Sequence, residues 1–175
     1  MEFSVEDGEL VMDKRNSEYI AAYKRQLSKG EVQVAYNILL KCIMRLKVHC
    51  EKTFSESYSF GNISPGYMDF TYFPFFNEYL RKEKLRFGIV LNHSEMRFEL
   101  WLMGQNSEIQ TKYWNLLKTS FWNQERIHMP KYSVLEVILI DNPDFDDMDT
   151  LTTKVTEKAA CVSEEILNHL ATLSR

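Results

Sequence analysis

No stretch of about 18 consecutive apolar residues occurs in this sequence, which removes a membrane-spanning helix and with it a membrane partner. Cysteine is scarce. Cys42, Cys50 and Cys161 are an odd number at helix-like positions, which argues against a disulfide framework and for free thiols in a reducing, cytoplasmic compartment. The first residues, MEFSVEDGELVMDKRN, lack the apolar centre of a secretory signal. Positive charge is not in excess either: 21 Lys and Arg against 25 Asp and Glu leave a formal charge of −4. No overall field then draws the chain onto phosphate backbones, and nucleic acid is not the expected partner. Catalytic and cofactor-binding signatures, internal repeats and low-complexity segments are missing as well, so no cofactor is expected.

What remains is an ordinary globular composition, 45% hydrophobic and 26% charged. A chain of this length buries roughly 70% of its unfolded surface without staples, which suits one core. The expected organisation is a flexible arm over residues 1–16, where charges fall without a period, and a single domain over 17–175.

Helical spacing begins at Ser17, with Ile20, Tyr23 and Leu27 on one side and Gly30 as a stop. The next segment places Ala35, Ile38, Leu39, Cys42, Leu46 and Cys50 three and four residues apart. After the break SESYSFGNISPG comes GYMDFTYFPFFNEYL, residues 66–80, with seven aromatic rings in fifteen positions. Tyr67–Phe73 reads as a strand ended by Pro74, with Met68, Phe70 and Tyr72 toward the helices and Tyr67, Asp69, Thr71 and Phe73 on the other face. The runs LRFGIVLN and MRFELWLM form a hairpin. A four-residue loop, His93–Met96, sets Leu91 opposite Phe98, Ile89 opposite Leu100 and Phe87 opposite Leu102, giving one continuous apolar face.

Ser107 and Gln110 have capping-box spacing ahead of a helix with Ile109, Tyr113, Leu116 and Leu117 inward. SVLEVILI is a further strand, and Leu151, Val155, Ala159, Val162, Ile166, Leu170 and Leu173 mark a long closing helix. The fold expected is α+β: a two-layer domain with a four-stranded, mostly antiparallel sheet and helices packed mainly on one face.

The other sheet face carries the candidate site, with Asp69, Arg97, Glu99 and Trp101 as its residues. Gly88 lies opposite Trp101, so an indole plate lying across a bare position can meet a planar or anionic ligand or a peptide, with Arg97 binding charge and the acids accepting hydrogen bonds. Strand parity puts Arg86 on the same face, and Arg97 or Arg86 is the expected donor to Asp69. The competing reading leaves Arg97 and Glu99 as solvated strand residues.

A different class of function, a metal-dependent phosphoesterase or nuclease, would use Asp69, Glu99 and Glu136, but no Lys stands two residues after either glutamate. No metal site is assigned. DNPDFDDMD lacks the glycine and distal glutamate of a calcium loop and fits helix capping instead. Cys42, His49 and Cys50 share a helical side without the second ligand pair that zinc requires. His93, His128 and His169 have no identifiable catalytic partner. The run RKEKLR, residues 81–86, together with Lys41, Arg45 and Lys47 of the second helix would form a basic patch beside exposed aromatics, a combination that suits single-stranded nucleic acid, but such a run more often forms a solvated face.

Asn92-His93, Arg97-Phe98-Glu99, Trp101-Leu102, Gly104, Asn106, Gln110 and Tyr113-Trp114, with GYMDF upstream, resemble the signature region of a family of uncharacterised small bacterial proteins, a domain of unknown function. The resemblance covers residues 17–173 and implies a single domain with no assigned activity.

Overall fold

A computed structural model describes residues 15–54 and 56–173. Most of the arm expected over residues 1–16 lies outside the described residues, and Asn16 already opens the first helix. The chain divides into a unit ending at Leu39 and a unit beginning at Leu40.

The first unit holds helix α1 (Asn16–Ser28) and the start of α2 (Glu31–Thr53). Gly30 separates them at φ 78°, a left-handed conformation that glycine adopts without a Cβ penalty. No α1 residue is buried; of the expected apolar stripe in this unit Ile20, Tyr23, Ala35 and Ile38 are exposed, and Leu27 and Leu39 are half-buried.

The second unit contains β1 (Ser59–Phe60), β2 (Phe70–Phe76), α3 (Glu78–Lys82), β3 (Leu85–Asn92), β4 (Arg97–Gly104), α4 (Ser107–Leu117), β5 (Leu135–Ile140) and α5 (Met148–Leu173). The sheet is antiparallel and runs in chain order, β1-β2-β3-β4-β5, so the fold is α+β with five strands rather than the four expected. The missed strand is β1. Its two residues pair with Phe75 and Phe76, and two residues carry no readable period. The hairpin register matches the expected one at all three apolar pairs, with residues 93–96 as the loop.

Strand β2 departs from expectation in extent and in facing. It starts at Phe70 and continues through Pro74 to Phe76. Tyr72 exchanges both backbone hydrogen bonds with Ser64, and the Pro74 carbonyl accepts from Gly61, so residues of this parity turn their backbone groups toward the outer edge. The donor that Pro74 lacks is therefore absent from the edge side, and no β2–β3 hydrogen bond is lost. Pairing with β3 then puts Phe73 and Phe75 beside Ile89 and Phe87 in the core, and Phe70 and Tyr72 on the opposite face, the reverse of the sequence reading. Two sets of aromatics alternate along this strand, so hydrophobicity alone does not fix which set turns inward.

The core face is built from Phe73, Phe75, Phe87, Ile89, Leu91, Phe98, Leu100 and Leu102, all fully buried. Phe75 anchors an aromatic cluster, with centroids 5.7 Å from Phe60, 5.4 Å from Phe87 and 5.1 Å from Tyr58. Helix α5 runs along β4 and β5 and buries Leu151, Val155, Ala159, Ile166 and Leu170. The later part of α2 contributes Cys42, Ile43, Leu46 and Cys50, and Thr156 of α5 bonds His49 Nδ1 at 3.0 Å and Cys50 Sγ at 3.4 Å. Cys42, His49 and Cys50 are thus packing and hydrogen-bonding residues, and burial pushes both thiols up to about 11. Helix α4 is capped by Asn106, whose side chain accepts from Ile109 N–H, and not by Ser107. Gln110 instead turns inward and donates to the Pro130 and Ser133 carbonyls, which ties α4 to the entry into β5; Leu116 is exposed. Asp147 caps α5 through Thr150 N–H, as expected for the acidic segment before that helix.

Candidate functional site

The second sheet face is not a solvated floor. Val90, Trp101 and Met103 are buried in a cluster of their own, with Phe70 and Tyr72 packed against it. The Phe70 and Trp101 rings meet edge to face at 4.8 Å, and Tyr132, from the segment before β5, approaches Phe70 at 6.1 Å. Gly88 lies opposite Trp101 as expected, but Met103 lies over it, since a Cβ there would come within 2.5 Å of Met103 Cε. A long flexible thioether fills the bare position better than a rigid indole whose N–H needs an acceptor.

That acceptor is Glu99. Its carboxylate takes hydrogen bonds from Trp101 Nε1 at 2.6 Å, Arg97 Nε at 2.6 Å and Asn92 Nδ2 at 3.2 Å, and the residue is only 2% exposed. Arg97 also lies 3.8 Å from Glu95 and 3.9 Å from Asp141. Three donors occupy the buried carboxylate, so Glu99 and Arg97 hold the indole in place.

Asp69 has a different setting. Gly66 and Met68 both take positive φ, 65° and 66°, and fold the chain so that Asp69 Oδ1 accepts from the N–H groups of Tyr67 at 2.8 Å and Phe70 at 2.7 Å. Its carboxylate partners are therefore backbone amides, not the Arg97 or Arg86 expected from sequence. The Tyr67 N–H is the main cause that holds this carboxyl below its ordinary range, assisted by Phe70 N–H and His93. A side chain at Gly66 would come within 2.2 Å of the Phe70 carbonyl, so the turn admits only glycine.

A cleft of about 330 Å3 opens between this turn and the aromatic cluster. Asp69 and Trp101 line it together with Phe70, Tyr72, Arg86 and Tyr132; Arg97 and Glu99 do not. Arg86 is the residue that sequence reasoning undervalued. Its Nε is buried with no hydrogen-bond partner among the described residues, in a wall that is otherwise largely aromatic. Strand parity had already placed Arg86 on this face. Tyr132 left no signal, because the segment before β5 has no period.

The three acids of the metal-dependent reading are individually engaged. Glu136 accepts from Ser133 Oγ at 2.7 Å and Arg126 at 2.9 Å, Glu99 and Asp69 as described above. Among the described residues no group of three or more His, Cys, Asp or Glu side chains is placed to share a metal ion.

Next to Asp69, His93 bonds Thr71 Oγ1 at 2.8 Å through Nε2, and Thr71 in turn donates to the Pro65 carbonyl at 2.8 Å. Burial lowers the His93 pKa below its ordinary 6.5, against a smaller opposing pull from Asp69. The unfolded chain binds this proton more readily than the folded one. Stability from His93 is therefore complete above 6.5 and is lost as pH falls from there toward the lower folded value. Urea midpoints should drop between about pH 7.5 and about pH 5.5, and His93→Gln should flatten that slope. An unchanged slope in the variant would show that His93 is not the group responsible.

By fold and cleft, the unit beginning at Leu40 is α+β, with a packed core on one face of an antiparallel sheet and an aromatic cleft on the other. Residues 16–170 match the family model described as Domain of unknown function (DUF7000), and the chain belongs to that family. No curated protein and no solved structure matches it. Among the described residues no helix is long and apolar enough to cross a membrane.

Proposed function

We propose that this protein is a binding domain that takes a small, planar, anionic molecule into the second-face cleft. The observation that carries the reading is Arg86, a guanidinium with a buried, unpartnered Nε in a cleft walled by Trp101, Tyr72 and Tyr132. The Arg86 side chain lines the cleft without a carboxylate partner among the described residues, so an anion there gains charge-assisted hydrogen bonds from the guanidinium while rings stack on its planar part. The volume favours a small molecule over a peptide, since it falls at the lower end of the roughly 300–1,000 Å3 typical of ligand pockets. Asp69 stands at the rim, with its second carboxylate oxygen available to a ligand hydroxyl or amine. Three free cysteines, two of them buried, fit a reducing, cytoplasmic setting. The metal-dependent phosphoesterase alternative is less well supported, because Glu99 is committed to the indole.

Benzoate and 4-hydroxybenzoate titrated into isotopically labelled protein test the reading. The expected result is a shift of the Trp101 Nε1–H resonance and of the Arg86 amide, weakened about tenfold or more by Arg86→Gln. Shifts that map elsewhere, or that Arg86→Gln leaves untouched, would overturn it.

A further inference from the structure

We infer that a second cleft, at the α3 end of the sheet, is a phosphate site that receives the phosphoryl end of a small organic phosphate ester. It has a volume of about 260 Å3 and is lined by Phe76, Arg81, Lys84, Leu85, Arg86 and Gln105. Three of the six are cations and none is an acid. All three come from the RKEKLR run, which the fold gathers instead of spreading over a solvated face.

The local structure explains the convergence. Helix α3 ends at Lys82 after little more than one turn, and Lys84 takes a left-handed φ of 57°. Lys84 N–H donates to the Arg81 carbonyl at 3.1 Å, and its own carbonyl accepts from Gln105 N–H at 2.9 Å. This tight reversal sets Arg81, at the end of α3, and Arg86, in β3, around the same hollow. The Arg81 guanidinium sits 4.8 Å above the Phe76 ring, which holds it over the cleft.

Among the described residues these charges also lack counterions. Arg45, Lys47, Arg97 and Arg126 each reach a carboxylate, whereas Arg81, Lys84 and Arg86 have none among the described residues. Glu83, the acid within the run, is turned to Tyr113, whose hydroxyl donates to it at 2.6 Å. Three like charges around one small hollow repel one another, and a dianion removes that repulsion while accepting several charge-assisted hydrogen bonds. The chain as a whole is negative, so this is a local arrangement and not a general attraction to polyanions.

Arg86 lines both clefts. A phosphate bound at Arg81, Lys84 and Arg86 therefore directs its ester group toward Tyr72 and Trp101, a part of the inference that rests on the aromatic cleft being the binding site proposed above. A small ester fits two bounded hollows sharing one arginine, whereas a nucleic acid strand calls for a continuous basic track.

Inorganic phosphate, titrated at constant ionic strength into the full-length labelled protein, tests the site. Saturable shifts are expected at the amides of Lys84, Arg86 and Gln105, and Arg81→Gln/Lys84→Gln should weaken them about tenfold or more while leaving the rest of the spectrum in place. No saturable shift in this region, or equal binding by the double variant, would overturn the phosphate site. Phenyl phosphate supplies the second arm. Binding about tenfold tighter than phosphate, with the gain lost in Tyr132→Ala, is the result expected from the two clefts acting together. Phosphate binding without that gain keeps the phosphate site and removes the aromatic cleft as its continuation. An oligonucleotide bound more tightly than phenyl phosphate, with affinity falling steeply in salt, would replace the small ester with a nucleic acid and overturn the inference.

Discussion

Truncating Leu100 to alanine should lower the free energy of unfolding by roughly 2 to 5 kcal/mol. Leu100 is fully buried in the central hairpin, with Ile89 opposite it on one neighbouring strand and Val137 on the other. Its neighbours are anchored by strand pairing on both sides, so they have little freedom to close over the space left behind. The loss should therefore fall toward the upper part of that range. Leu46 of α2, 1% exposed, should lose a similar but smaller amount, because a helix can shift over a cavity more readily than a paired strand. Chemical denaturation of both variants checks the pair, and a loss below about 1 kcal/mol at Leu100 would contradict the packing described.

Removing Arg97 should be comparably severe. Arg97→Leu leaves the Glu99 carboxylate almost wholly out of water with only Trp101 Nε1 and Asn92 Nδ2 as donors, and breaking a buried ion pair from one side costs about 3 kcal/mol or more. Glu99→Gln added in the same chain should return a large part of that loss. A neutral amide still offers the indole an oxygen and does not need the guanidinium. Glu99→Leu should be worse than Glu99→Gln, because it leaves the Trp101 N–H buried without an acceptor. Urea unfolding at neutral pH distinguishes these outcomes. An Arg97→Leu loss below about 1 kcal/mol would mean that solvent, not the arginine, satisfies the carboxylate.

How much of this was legible in the sequence depended on whether a residue's partners were near it in the chain. The β3–β4 hairpin could be read down to its register, because a short loop and two strands of matching apolar positions leave one solution. Strand β2 could not. Its partner lies across α3 and its aromatics occupy both parities, so nothing in the sequence marks Phe73 and Phe75 rather than Phe70 and Tyr72 as the inward set.

The candidate site shows the same division. Asp69 and Trp101 reach the cleft as the sequence suggested, and Arg86 was placed on the correct face. What the sequence did not convey was that Glu99 is enclosed, since its type suggests solvent. Yet the donors that enclose it, Asn92, Arg97 and Trp101, all fall on its own side of the hairpin. Tyr132 and the Arg81–Lys84 reversal depend on aperiodic backbone, which leaves no regular pattern to read.

The two-residue strand β1 has an effect out of proportion to its length. Together with Gly61 and Ser64 it engages the outward backbone groups of β2 at Tyr72, Pro74 and the Phe75–Phe76 end, and the remaining gap in donors is the proline itself. An extended segment from another molecule arriving at this margin meets hydrogen-bonding positions already taken and a ring where the next donor would be. A strand this rich in phenylalanine would otherwise be a template for stacking chain upon chain. A few residues of irregular backbone close that margin to cross-β growth.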